Sequence, residues 1–196
     1  MRRRLLLLAS IPTAAAAREL LSATEALPLL RAGGLNLYLR HAITDRSQAD
    51  TGRRGERTAQ RNLSPAGEAQ ARALGAAFRA LGIPIAETMT SEVFRAQDTA
   101  RLAFGDVAIH PALIADEYST RDPRLDAAEV SALLAQPPTG GHRALVGHIV
   151  PLGLVLGRPL AQAEFPEGSL ALFRPESRSW RFLGVVAAES LIDAAG

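Results

Sequence analysis

Along the chain, stretches with a two-residue apolar period alternate with stretches of helical period. Leu35, Leu37 and Leu39 alternate with Asn36 and Tyr38, as in a strand with one buried face, and the alternation stops at Arg40-His41. From Ser64 to Gly82 the period lengthens: Ala71, Leu74, Ala77, Phe78 and Leu81 recur at helical spacing. Ser64 is a good N-cap there, Pro65 suits the first helical position, and Gly82 ends the helix. Gly67 leaves the capping box incomplete, while Glu68 still favours the positive end of the helix dipole. The same reading predicts strands over 86–92, 107–111 and 143–148, and helices over 93–105, 126–136 and 149–157. Residues 18–34 read as a short helix and a Gly turn, and 168–175 with 179–186 as a closing hairpin. Residues 42–62 are polar and charge-rich; a loop of that length is uncommon unless functional or disordered. There is no internal repeat and no heptad pattern.

Strands alternating with helices predict an α/β, three-layer sandwich with a mostly parallel central sheet flanked by helices and antiparallel pairing at one edge. With 196 residues and 47% hydrophobic content, one domain with a real core is expected. The first residues stand apart from it. "MRRR" is a basic start, "LLLLASIPTAAAA" is a short apolar run, and Ala15-Ala16-Ala17 fits an A-x-A cleavage site. Residues 1–17 therefore read as a signal peptide and 18–196 as the folded domain. The run is too short to span a bilayer comfortably, so a secreted, periplasmic protein with no stable membrane insertion is expected, exported by a Sec or a twin-arginine route. Losing Arg2, Arg3 and Arg4 turns the formal charge from +2 to −1, which removes the main argument for a nucleic-acid partner.

The composition narrows the chemistry. The chain has no Cys, which excludes disulfides, Cys-based zinc sites and a thiol nucleophile. All 22 basic residues are Arg, which excludes Schiff-base chemistry and a Walker-type lysine. The four His show no H-x-H or H-E-x-x-H spacing, so neither a metal site nor a cofactor is expected. His110 and His142 flank strands and read as loop residues. The other two close strands, in "LYLRH" and "ALVGH". In an open α/β sheet, ligands bind beyond the carboxyl ends of the strands, so His41 and His148 are expected to face one crevice. Arg95 lies in the first turn of a helix that follows a strand, where backbone N–H groups point outward. Two His, two Arg and a helix start suit a dianion.

Taken in order, "LYLRHAITD", "LSPAGEAQARALGAAF", "TSEVFRAQDTARLAF" and "ALVGHIVPL" resemble the histidine phosphatase (phosphoglycerate mutase-like) superfamily across residues 35–155. The first motif reads Arg-His-Ala where Arg-His-Gly is the usual form. The chain is similar to small secreted members of the bacterial-type branch. Ala42 after His41 and Ile149 after His148 depart from the R-H-G-x-R-x-P and His-Asp motifs of the phytase and acid-phosphatase branch. The resemblance implies that His41 is the nucleophile that takes a phosphoryl group. It implies that Arg40 and Arg95 hold the phosphoryl oxygens, that His148 donates a hydrogen bond to them, and that Thr44 also contacts phosphate. For the general acid it points to Glu117 in "LIADEYST", with Asp116 or no acid as alternatives. Glu167 in "FPEGS" is a weaker candidate and reads as a turn residue. Ser47 stands where many relatives place Asn. Arg46, Arg53, Arg54, Arg57 and Arg61 read as a solvated charged loop, with an anion-guiding mouth as the alternative.

Physical chemistry supports these roles. A neutral imidazole is a competent nucleophile near its ordinary pKa of about 6.5. Covalent capture splits one difficult hydrolysis into two easier displacements. Planar guanidinium groups grip phosphate oxygens in pairs as Lys cannot. The function expected is a metal-independent, histidine acid phosphatase-type phosphomonoesterase acting through phospho-His41 on a phosphorylated small molecule, a phosphoprotein or phosphohistidine. The alternative is a catalytically weak phosphate-ligand binder on the same scaffold.

Overall fold

The computed structural model describes residues 20–196, so the signal-peptide reading of 1–17 lies outside the described residues. One six-stranded sheet organises the chain: β1 (Asn36–Arg40), β2 (Ile85–Thr90), β3 (Ala108–Ile109), β4 (His142–Gly147), β5 (Leu170–Glu176) and β6 (Ser179–Val186). Their spatial order is β3-β2-β4-β1-β5-β6. The first four strands are parallel, and β5 and β6 add antiparallel pairing on the far side of β1. Helices α1 (Ala23–Ala32), α2 (Pro65–Ala80), α3 (Phe94–Phe104), α4 (Pro123–Leu134), α5 (Ile149–Leu156) and α6 (Ala188–Asp193) flank it. Among the described residues, no helix is long and apolar enough to cross a membrane. The α/β, mostly parallel three-layer fold is as the apolar pattern predicts. Helix α6 was not predicted, and α4 begins three residues before the predicted start because Asp122 caps it through the Arg124 backbone N–H.

β1 corrects the one-faced reading of its sequence. It lies in the middle of the sheet, and parallel central strands are covered on both sides. Leu37 and Leu39 pack with Leu30, Leu74, Phe78 and Leu191, while Tyr38 packs on the other face with Leu134, Leu145, Leu152 and Phe173. Asn36 is fully buried as well. Its amide donates to Leu134 O at 2.9 Å and Gln136 O at 3.0 Å, and its Oδ1 accepts from Arg143 Nη1 at 3.1 Å. Those bonds offset a desolvation cost of about 1–3 kcal/mol.

His142 is likewise no loop residue. It opens β4, fully buried, donating from Nε2 to Leu30 O at 2.6 Å and accepting at Nδ1 from the Leu35 N–H at 3.1 Å. Both ring nitrogens are committed to a neutral tautomer, and burial pushes its pKa below the usual histidine value. His110 sits before the Pro111–Leu113 turn, where its Nδ1 accepts from the Ala112 N–H at 3.3 Å.

The incomplete capping box of α2 has a steric reason. Ser64 Oγ accepts from the Gly67 N–H at 3.1 Å, as an N-cap should. A Cβ on residue 67 would stand 1.9 Å from Ile43 O. Glycine in the first turn lets α2 rest directly on the backbone that follows His41.

Candidate active site

The two strand-ending histidines meet because β1 and β4 are parallel neighbours in matched register. Arg40 pairs with Gly147, and the His41 N–H donates to Gly147 O at 3.1 Å. His41 and His148 therefore leave the sheet side by side, with ring centroids 5.4 Å apart. Tyr38 pins this exit from within the core: its hydroxyl donates to His148 O and accepts from the His148 N–H, both at 3.0 Å. That placement requires Gly147, since a Cβ there would lie 2.3 Å from the Tyr38 oxygen.

Neighbouring groups assign different protons to the two rings. His41 Nδ1 lies 2.9 Å from Ala42 O, a carbonyl that can only accept, so Nδ1 carries the hydrogen and Nε2 keeps its lone pair. Ser91 Oγ accepts from the Val93 N–H at 3.2 Å, which directs its own proton to His148 Nε2 at 3.0 Å. His148 Nδ1 is then an N–H donor, buried and without a partner. One imidazole offers a lone pair and the other a proton. Both are held well below the usual histidine pKa, first by burial and then by the positive charge of Arg95, with Arg40 and Arg61 adding to it.

Three guanidinium groups surround the pair. Arg40 is buried, its Nη1 donates to Phe165 O at 2.5 Å, and burial lowers its pKa to about 10, still charged at neutral pH. Arg95 is 2% exposed and donates from Nη1 to Asp50 at 2.9 Å and from Nη2 to Glu117 at 2.8 Å. Asp50 also accepts from Tyr118 Oη at 2.6 Å and from the Arg61 N–H at 3.0 Å. Burial would raise its pKa, but these bonds and the Arg95 charge outweigh that and hold it low. Arg61 completes the cluster, correcting the solvated-loop reading at that position. Its Nε is buried without a hydrogen bond, 4.0 Å from Asp50 Oδ2, and the Nε atoms of Arg40 and Arg95 are likewise buried without one. The reading holds better for Arg53 and Arg57, which pair with Glu56 and Asp98 at the surface. An Arg-rich loop following a strand-ending His was the available signal; which Arg turns inward depends on Asp50, which no spacing rule reveals.

Glu117 lies in the Asp116–Tyr118 turn with its carboxylate on Arg95. Desolvation there, with Asp116 adjacent, raises its pKa above the ordinary glutamate value. Asp116 touches the cluster through Glu117, whose pKa its side chain helps to raise. Ser47 caps Asp45 at the surface, away from the histidines. Thr44 is buried beside the site, but its hydroxyl is committed to Glu167 Oε1 at 2.8 Å.

Glu167 is the residue that the sequence reading most undervalued. It is 8% exposed, and its Oε2 accepts from Arg46 Nη2 at 2.9 Å. Its Oε1 stands 4.0 Å from both Arg40 Nη2 and His41 Nδ1. The turn carrying it is tied to β1 and its end: the Gly168 N–H donates to His41 O and the Arg40 N–H to Ser169 O, each at 3.0 Å. Gly168, at φ 85°, permits the sharp bend. An apolar groove elsewhere, between α4 and α5, is lined by Ala127, Ile149, Val150 and Leu154 and contains neither histidine. Among the described residues, no group of three His, Asp or Glu side chains is arranged to hold a metal ion.

Residues 37–117, which include His41 and Arg95, match the family model described as "Histidine phosphatase superfamily (branch 1)". That match covers under half of the chain, from the middle of β1 to the turn that carries Glu117. Solved structures share the fold at low identity. The protein histidine phosphatase SixA complexed with tungstate is 16% identical, with a TM-score of 0.57 over 80% of this chain and 99% of that one. A phosphoserine phosphatase from Entamoeba histolytica in complex with phosphoserine is 14% identical, with a TM-score of 0.57 over 80% and 98%. Phosphoglycerate mutase from Bacillus anthracis is 14% identical, with a TM-score of 0.52 over 84% and 98%. No curated protein matches the chain at a significant level.

Proposed function

We propose that this protein is a member of the histidine phosphatase superfamily and hydrolyses phosphate monoesters, or the phosphoramidate of phosphohistidine, through a phospho-His41 intermediate and without a metal ion. The observation that carries the reading is one set of nitrogens. Arg40 Nε, Arg61 Nε, Arg95 Nε and His148 Nδ1 are buried N–H donors without a hydrogen bond, and their side chains surround a neutral His41 whose Nε2 bears a lone pair. Buried donors are normally paired. A phosphoryl group held against His41 supplies acceptors for all four.

In the first step, His41 Nε2 forms a bond to phosphorus as the bond to the leaving oxygen breaks. Glu117, whose pKa desolvation raises above the usual glutamate value, gives a proton to that oxygen. The His41 ring keeps its Nδ1 proton and becomes cationic. In the second step, water gives a proton to Glu117 and attacks phosphorus, the P–Nε2 bond breaks, and phosphate leaves. Arg40, Arg61, Arg95 and His148 hold the equatorial oxygens through both displacements, where positioning and charge matter most. Export directed by residues 1–17 would place the activity in the periplasm, on a phosphorylated small molecule or a phosphoprotein.

The test is hydrolysis of p-nitrophenyl phosphate by the chain from residue 18, with EDTA present, beside His41→Ala. EDTA-resistant turnover that disappears in His41→Ala is the expected result. Turnover that survives in the variant would name another nucleophile. Vanadate binding without turnover would make the protein a phosphate-ligand binder.

A further inference from the structure

We propose that Glu167 is the charge partner of His41: its carboxylate balances the imidazolium that forms when Nε2 takes the phosphoryl group. This rests on the phosphatase reading above and adds a positioning residue to it.

The geometry separates Glu167 from the general acid. Nδ1 and Nε2 lie at different corners of the imidazole ring. A carboxylate oxygen 4.0 Å from Nδ1 stands behind the nucleophile, while the leaving group departs beyond phosphorus on the Nε2 side. Glu167 is therefore badly placed to protonate a leaving oxygen and well placed to act on the ring. Its own position is held from two sides, by the Thr44 hydroxyl on Oε1 and the Arg46 guanidinium on Oε2. The turn that carries it is bonded through backbone to His41 and Arg40, so ring and carboxylate keep a fixed relation.

The site needs such a group. The charged or titratable side chains around His41 are Arg40 from β1, Arg61 from the loop that follows His41, Arg95 from α3, His148 at the end of β4, and Glu167. In the resting state the ring is neutral and the three guanidinium groups meet no cation there. Once phosphorus is bonded to Nε2, the ring retains its Nδ1 proton and is positive among three positive side chains. The Ala42 carbonyl offers Nδ1 a dipole but no charge. Asp50 and Glu117 are spent on Arg95. Glu167 is the carboxylate within reach of Nδ1. An opposite charge at 4–6 Å commonly moves such an equilibrium by about one to three pKa units, a factor of about ten or more.

The experiment compares wild type with Glu167→Gln by rapid-quench measurement of acid-labile phosphoenzyme from p-nitrophenyl phosphate, and by inhibition with inorganic phosphate. Phosphoenzyme formation slowed about tenfold, with phosphate inhibition unchanged or tighter, is the expected result, because Gln removes the counter-charge and some repulsion of the anion. Should Glu167→Gln not fold, Thr44→Val keeps the carboxylate but releases its aim, and the same split between rate and phosphate affinity is expected. Equal rates of formation overturn the assignment. So does a slowing matched by an equal loss of phosphate affinity, which would make Glu167 merely a support for Arg40. A wild-type protein that forms no phosphoenzyme overturns the underlying phosphatase reading, which the other outcomes leave standing.

Discussion

Gly147→Ala tests how the core positions the second histidine. The added Cβ would stand 2.3 Å from the Tyr38 oxygen and 2.8 Å from Tyr38 Cζ, so the ring must retreat by about an ångström. Tyr38 is fully buried among Leu145, Leu152, Phe165 and Phe173, and has no free space to enter. Overpacking of this kind costs about 1–3 kcal/mol. Retreat also strains or breaks the two hydrogen bonds to the His148 backbone, each worth about 1 kcal/mol. A loss of about 2–5 kcal/mol is expected in urea unfolding, with a fall in turnover because His148 is released. Tyr38→Phe alone should cost about 1–3 kcal/mol by leaving the His148 N–H unpaired in the core. In that background the severest contact of Gly147→Ala is gone, so the double variant should be more stable than the sum of the two losses by about 1 kcal/mol or more. Strict additivity, or a Gly147→Ala protein within about 0.5 kcal/mol of wild type, would refute the claim that Tyr38 and Gly147 form one device.

Two further predictions come from groups around the site. Arg61→Gln removes a half-buried guanidinium whose Nε makes no hydrogen bond and lies 4.0 Å from Asp50, so KM for a phosphate monoester should rise about tenfold while the unfolding midpoint changes little; unchanged KM would put Arg61 outside the site. His41, His142 and His148 all have folded pKa values below 6.5, so below that pH the unfolded chain binds protons that the folded chain refuses. Their contribution is complete above pH 6.5 and is lost as pH falls toward the folded values. Between pH 7.5 and 5.5 the loss should be about 1 kcal/mol for each of His41 and His148 and smaller for His142, read as a falling urea midpoint, and a flat profile over that range would contradict their burial as neutral rings.

Much of this was legible in the sequence because it depends on local rules. The strand pattern before His41, the N-cap at Ser64 and the short strand before His148 each have a signal within a few residues. Alternating strands and helices predict parallel strands whose carboxyl ends share one edge of the sheet, which is why the meeting of His41, His148, Arg40 and Arg95 could be anticipated. What was missed depends on partners distant in sequence. Asn36 read as the unburied face of a strand and His142 as a loop residue, since nothing local shows that helix ends and β1 will supply their hydrogen bonds. Arg61 turns inward because Asp50 takes its backbone N–H, and Glu167 is drawn in by Thr44, 123 residues earlier. Both belong to segments whose sequence resembles an ordinary polar turn. Helix α6 was overlooked because only Ala188 and Leu191 in it are fully buried, too few to set a period.

The matched register of β1 and β4 also carries a consequence for how the protein comes into being. Leu35 and His142, which meet where these strands begin, are 107 residues apart, and such a pairing is entropically slow to find. No early hairpin or local helix assembles any two members of the His41–His148 pair and its counter-charge. A nascent or truncated chain ending before β4 has no His41–His148 pair, and one ending before residue 167 lacks the carboxylate behind His41. Recovery of activity in a refolding experiment should therefore report closure of the sheet centre rather than the earlier appearance of helix, making turnover a clock for the last long-range step of folding.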